Sequence, residues 1–214
     1  IPALYENAEP FGSYGAIVQL QGKFGIIDAQ GAWQVPAVLD EIQVGEAMRL
    51  RKGTQYALAD MSGCLLSDFC YDAVYALKNG FFMTDQQGLK GLLDVAGRVI
   101  VPNRYEHVSQ LRDNQGHYVD LLSVRDEGQL GIYNTCGERM QFPRFGRIDV
   151  FQEGFAVVQD DGKFGLMDLE GRLRVPCQYE QLQPMNEGLC AAKLKNRWGF
   201  IDAAGREVIP FNFE

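Results

Sequence analysis

Short apolar runs punctuated by turn residues recur along the whole chain. Residues 155–159 (Phe-Ala-Val-Val-Gln) and 189–194 (Leu-Cys-Ala-Ala-Lys-Leu) are typical, and each is followed by a tight-turn pair such as Gln21-Gly22, Glu127-Gly128 or Asp161-Gly162. Glycine at the second central position suits the positive backbone angles of a two-residue hairpin. A second apolar run follows each turn, and six of these runs align: KFGIIDAQGAWQVP from Lys23, QYALADMSGCLLSD from Gln55, LKGLLDVAGRVIVP from Leu89, QLGIYNTCGERMQF from Gln129, KFGLMDLEGRLRVP from Lys163 and RWGFIDAAGREVIP from Arg197. Their third residues, Gly25, Ala57, Gly91, Gly131, Gly165 and Gly199, lie 32, 34, 40, 34 and 34 positions apart. None of the six carries apolar residues at helical spacing, so a period near 34 predicts stacked β units rather than a helical array.

Each second run closes in Asx-x-x-Gly. Asp28, Asp60, Asp94, Asn134, Asp168 and Asp202 precede Gly31, Gly63, Gly97, Gly137, Gly171 and Gly205 by three residues. The Asx side chain accepts backbone N–H bonds across such a turn, and glycine takes its left-handed position, so positive φ is expected there. A third strand is expected to end at Pro36, Pro102, Pro176 and Pro210, because proline cannot donate to a ladder. The pairs Leu39-Asp40, Tyr71-Asp72, Tyr105-Glu106, Tyr179-Glu180 and Phe213-Glu214 then mark the start of a fourth, outer strand.

The predicted fold is therefore all-β: six tandem β-meander repeats in one domain spanning 1–214, with units near 12–44, 45–78, 79–110, 111–150, 151–185 and 186–214. Residues 80–83 and 155–158 are apolar on both alternating faces, which calls for sheets packed on both sides. This predicts a six-bladed β-propeller, with an open β-repeat array or a solenoid as the alternative. Residues 1–11 read as the tail of a preceding unit or as a closing strand, with 5–11 supplying the outer strand of the sixth blade.

The last unit, GLCAAKLKNRWGFIDAAGREVIPFNFE, resembles the WG-repeat family almost from end to end, and the fifth keeps the pattern with Phe164 in place of tryptophan. The second, third and fourth match more loosely, with Gln55-Tyr56-Ala57, Leu89-Lys90-Gly91 and Gln129-Leu130-Gly131 at the signature positions. The resemblance implies a bacterial β-rich repeat protein serving as an interaction module, and it supplies no catalytic residues.

Charge and chemistry narrow the partner. Twenty Lys and Arg against 28 Asp and Glu give a net charge of -8 with no basic cluster, which disfavours nucleic acid. No apolar run is long enough to span a bilayer as a helix, so a soluble protein without membrane insertion is expected. The first residue, Ile1, points to removal of an N-terminal segment, consistent with either a cytoplasmic or an exported protein. Cys64, Cys70, Cys136, Cys177 and Cys190 never approach CxxC spacing and read as small, semi-buried hydrophobes. His107 and His117, the only histidines, stand in no metal-binding or triad spacing, and His107 reads as a surface residue. The aromatics Phe24, Tyr56, Phe164 and Trp198 read as core rather than as a stacking ladder. The six Asx residues read as turn formers rather than a calcium ring. No cofactor is expected.

The 40-residue interval contains an insertion between Leu111 and Asp120, LRDNQGHYVD. Insertions in repeat proteins often emerge on the binding face, which makes Arg112, Asp113, Asn114, Gln115, His117 and Tyr118 the candidate binding residues. Residues 112–117 are expected to be exposed and mobile. The leading functional expectation is a non-catalytic module that binds a protein, peptide or glycan. The alternatives are an enzyme using Asp113, His117 and Tyr118, or a structural spacer or inhibitor of one protein partner.

Overall fold

The computed structural model describes residues 4–140 and 145–213. Strand formers dominate the apolar runs, and among the described residues there is no helix. The strands form six antiparallel sheets. The first contains β1 (Asn7–Ala8), β2 (Ala16–Leu20), β3 (Lys23–Ile27) and β4 (Trp33–Leu39); the second, β5 (Glu41–Gln43), β6 (Met48–Lys52) and β7 (Gln55–Ala59). The third has β8 (Ala73–Ala76), β9 (Phe81–Gln86), β10 (Leu89–Asp94) and β11 (Val99–Tyr105), and the fourth β12 (His107–Arg112), β13 (Tyr118–Asp126) and β14 (Gln129–Asn134). The fifth holds β15 (Arg147–Ile148), β16 (Phe155–Asp160), β17 (Lys163–Asp168) and β18 (Leu173–Tyr179); the sixth, β19 (Gln181–Leu182), β20 (Leu189–Leu194), β21 (Arg197–Asp202) and β22 (Glu207–Phe213). In each sheet the strands pair in chain order. The chain divides into two compact units, Ile1–Arg104 and Tyr105–Glu214.

Both turn expectations hold. Gln21, Glu127 and Asp161 have φ of 52°, 51° and 44°, and the glycines after them are also positive, as a two-residue hairpin with the native strand twist requires. Gly31, Gly97, Gly171 and Gly205 have φ between 73° and 82°. In all six Asx turns one side-chain oxygen accepts two backbone N–H bonds, as when Asp28 Oδ1 takes those of Gln30 and Ala32 at 2.9 and 2.8 Å.

The fourth-strand expectation is corrected in one respect. The strand after each aromatic–acid pair forms, but it pairs forward, with the first hairpin of the next sheet. Thus β5 pairs β6, and β19 pairs β20. The same holds at the start of the chain, where β1 pairs β2, so residues 5–11 serve the first sheet and do not supply the outer strand of the sixth. An acid reinforces this pairing in four places. The carboxylates of Glu6, Asp40, Asp72 and Glu180 accept amides in the tight turn of the following hairpin, at Gly22, Gly53, Gln87 and Lys195-Asn196, over 2.6 to 3.1 Å. Meanwhile Leu39, Tyr71 and Tyr179, which precede three of these acids, are buried, as is Tyr105 before Glu106. The aromatics one strand earlier, Phe24, Tyr56, Phe164 and Trp198, are only half-buried at the edge of the core.

The third strand does not stop at proline. β4, β11, β18 and β22 run through Pro36, Pro102, Pro176 and Pro210, each as an edge strand of its sheet. In β4 the register slips between Phe24↔Leu39 and Ile26↔Val35, so the proline sits in a bulge, where its missing N–H costs no ladder bond. The bulge swings backbone over the glycine of the second strand. A Cβ on Gly165 would lie 2.4 Å from Val175 O and 2.9 Å from Cys177 N, and one on Gly25 would lie 2.6 Å from Val35 O. The second unit lacks this proline, and its outer position holds isolated bridges, Tyr56↔Tyr71 and Ala59↔Leu65. Ala57 is accordingly tolerated and buried there.

Sheets pack on both faces. Ala156, Val158 and Met167 of the fifth sheet meet Leu121, Ile132, Phe145 and Phe151, whereas Val157, Leu166 and Val175 meet Met185, Cys190, Ala192 and Ile201. Cys190 is thus a core residue; Cys70 and Cys177 are half-buried, and Cys64 and Cys136 are exposed, which the sequence reading did not anticipate. On the sixth sheet Phe213, which takes the place of buried Tyr179, is 56% exposed.

Because Gly165 is crossed by backbone, Gly165→Ala is expected to cost about 2 kcal/mol or more in reversible urea denaturation. A cost below about 1 kcal/mol would refute the bulge explanation for the spacing of glycine and proline within this chain.

Candidate functional site

The insertion forms a hairpin closed by the same turn chemistry as the repeat. β12 and β13 continue to the pair Arg112↔Tyr118, and Asp113-Asn114-Gln115-Gly116 is a seventh Asx-x-x-Gly turn. Asp113 Oδ1 accepts Gln115 N at 2.9 Å and His117 N at 2.8 Å, and Gly116 has φ 88°. The spacing was present in the sequence but lay outside the register of the six units.

The hairpin also docks sideways. Asn114 N donates to Phe151 O at 2.7 Å and Phe151 N donates to Arg112 O at 2.9 Å, beside a Phe151 side chain buried in the core between the fourth and fifth sheets. The segment expected to be a free, mobile loop is therefore bonded along one side to the fifth sheet's leading loop, because its backbone donors and acceptors find partners there.

Of the six predicted residues, the structure joins four in two pairs. Arg112 lies with its guanidinium carbon 4.1 Å from the Tyr118 ring centroid and donates to the Tyr118 hydroxyl, a cation–π contact on the hairpin surface. His117 Nδ1 stands 3.1 Å from Asp113 Oδ2. Burial pushes the Asp113 carboxyl up, but the bonds from the His117 amide and ring and the Gln115 amide outweigh it and hold it below the ordinary 3.8. Asn114 and Gln115 are exposed and are held only through their backbone amides.

Beyond the hairpin lies a groove of about 690 Å³ that sequence reasoning missed. Its apolar surface comes from Leu121 and Met140 of the fourth repeat and Leu169 of the fifth. Leu121 is in β13, directly after the insertion. Leu169 occupies the first free position of an Asx turn, where it is 44% exposed. Asp120, Glu170 and Arg172 line the same groove. The ridge of Leu169 and Glu170 also borders a second cleft of about 270 Å³ with Phe155, Asp168 and Arg174. Arg174 Nε sits 3.9 Å from Asp168 Oδ2, whose other oxygen is held by the Glu170 and Arg172 amides. No signal in the sequence singles out this groove, because the same turn position is also apolar in other units, as at Met61 and Val95.

His107 is exposed at the start of β12. The six Asx side chains are each engaged in their own turn, and among the described residues no group of three His, Cys, Asp or Glu side chains converges as a metal site. No helix among these residues is long and apolar enough to cross a membrane.

A chain of antiparallel sheets repeating every 34 residues or so, with turn chemistry conserved in each unit, is an all-β repeat protein. The WG containing repeat family matches in three consecutive copies over residues 143–164, 164–198 and 198–214, in the last part of the chain. No curated protein matches the chain. Among solved structures, Hsv2p of Kluyveromyces lactis aligns at 11% identity and TM-score 0.32, covering 92% of this chain and 74% of its own. PorZ, a surface component of the type-IX secretion system of Porphyromonas gingivalis, aligns at 13% identity and TM-score 0.31, covering 98% of this chain and 33% of its own. The extracellular domain of BT4673 from B. thetaiotaomicron aligns at 11% identity and TM-score 0.31, covering 96% and 35%. Superpositions this loose transfer no function.

The turn aspartates set the acid limit of stability. The Ser62 hydroxyl and amide lower Asp60, the Arg206 amide and side chain lower Asp202, and at Asp94 the bonds from Arg98 and Ala96 outweigh burial. A carboxyl lowered on folding binds fewer protons than in the unfolded chain, so its contribution is present above the unfolded value of 3.8 and is lost as pH falls through the lower folded value. The melting temperature should therefore be flat above about pH 5 and fall steeply below about pH 4. A melting temperature that holds steady down to pH 2 would contradict these assignments.

Proposed function

We propose that the chain is a non-catalytic repeat module that binds an extended segment of a protein or peptide in the groove between its fourth and fifth sheets. The observation that carries this reading is the coincidence of two departures from the repeat. The unit with the insertion holds it by backbone bonds to Phe151, and Leu121, in the strand that leads out of it, floors a groove with Met140 and Leu169, although residues 112–118 themselves do not line that groove. Pinned loops on a rigid sheet scaffold present side chains in fixed positions at little ordering cost, which is what a binding surface requires.

Peptide is favoured over glycan because none of the described residues lining the groove is aromatic, and Tyr118 on the insertion hairpin has Arg112 over its face. A sugar would lack a stacking platform. A non-catalytic role is favoured over an enzyme because the Asp113 carboxylate is committed to its turn and held ionised. A general acid or base is instead tuned toward neutral pH by burial.

The test is selection of a random peptide library displayed on phage, followed by binding of the enriched peptides to Leu169→Asp. Binding should weaken by at least about tenfold. Peptides that bind this variant as well as the parent would place the site elsewhere.

We further propose that the six sheets are the blades of a closed ring. Support comes from the fifth sheet, packed on both faces, and from the second, which lies between the clusters around Ile17 and Val35 and around Phe82 and Leu93. A compact chain of this length should show a radius of gyration of about 17 Å by solution scattering. A monomer clearly more extended than that would exclude the ring.

A further inference from the structure

The groove's charged rim is unbalanced, and this identifies its ligand more closely. Among the described residues, neither Asp120 nor Glu170, both exposed, has an ion-pair partner. Both acids border the groove whose floor is Leu121, Met140 and Leu169. One cation, Arg172, shares the rim without an ion pair among the described residues, so the rim carries one net negative charge within a chain of net charge -8.

We propose that the groove takes a peptide segment in which an apolar side chain is flanked by a single lysine or arginine. The apolar side chain rests on Leu121, Met140 and Leu169, and the cation is received by Asp120 and Glu170. The cause is complementarity at a partly desolvated edge: a ligand seated on the floor displaces water from the rim and strengthens attraction between the facing charges. Arg172 limits the preference. A run of basic residues would bring a second cation against it, so one cation beside the anchor is favoured over a polybasic tract. This inference rests on the groove being the binding site, and the experiment separates the two claims.

The probes are three synthetic nine-residue peptides with a central leucine in a Gly-Ser background, differing only in whether lysine, glutamine or glutamate follows the leucine. They are titrated into methyl-labelled protein while the Leu121, Leu169 and Met140 methyl resonances are followed. The lysine peptide should shift these methyls and bind about tenfold more tightly than the glutamate peptide, with the gap closing in high salt as exposed charges are screened. The double variant Asp120→Asn, Glu170→Gln should remove the preference, whereas Glu207→Gln on the sixth sheet should keep it. The comparison on the unaltered protein stands even if the double variant fails to fold. If the three peptides shift the groove methyls equally, the charge preference is wrong and the groove remains the site. If none shifts them, both claims fall.

Discussion

The arrangement of this protein depends on a handover between neighbouring repeats. The acid that ends one repeat places its backbone amide on the carbonyl at the end of the next sheet's first hairpin strand, as Asp40 N does to Arg51 O at 2.8 Å and Glu180 N to Lys193 O at 2.9 Å. Its carboxylate then closes that hairpin's turn. The adjacent Leu39, Tyr71 or Tyr179 is buried at the same step. One residue pair thus sets where each sheet begins and holds the chain to its neighbour, so a repeat cannot complete a sheet alone. The fourth unit's end shows which part is indispensable: Phe145 is buried and Gly146 N still reaches Gln159 O at 2.8 Å, although Gly146 offers no carboxylate. The backbone bond and the buried side chain persist where the cap does not.

A second constraint acts within each sheet. Proline at the bulge of the edge strand and glycine in the second strand form one unit, because bulged backbone lies where a Cβ would project. Where proline is absent, at the second unit, the outer strand gives way to bridges and Ala57 replaces the glycine. The groove opens beside the fourth sheet. The long hairpin belongs to that same sheet, where the repeat interval departs furthest from its own pattern.

The candidate site is built from ordinary scaffold parts used out of register. Its hairpin repeats the Asx turn, its anchor is the backbone of Phe151, and its ridge is the Asx turn of the fifth unit with Leu169 in an exposed place. Binding surfaces on repeat scaffolds gain specificity in this manner, by varying positions that the repeat leaves free. Asp120 and Glu170 are among those free positions.

Local chemistry settled much of this in the sequence alone. Asx-x-x-Gly, the two-residue turns and the period of apolar runs each depend on contacts within a few residues, so strands, turns and repeat number were legible without coordinates. What required the tertiary structure depends on backbone meeting backbone across a distance. The course of the strands through Pro36, Pro102, Pro176 and Pro210 follows from the bulge and the glycine facing it. The forward pairing of the strand after each acid follows from turns about 15 residues away, as from Asp72 to Gln87. The same holds for the docking of residues 112–116 on Phe151 and for the groove, whose floor joins Leu121 to Leu169 across two sheets. Sequence periodicity carries no term for such contacts, because they are fixed by packing between units rather than by propensity within one.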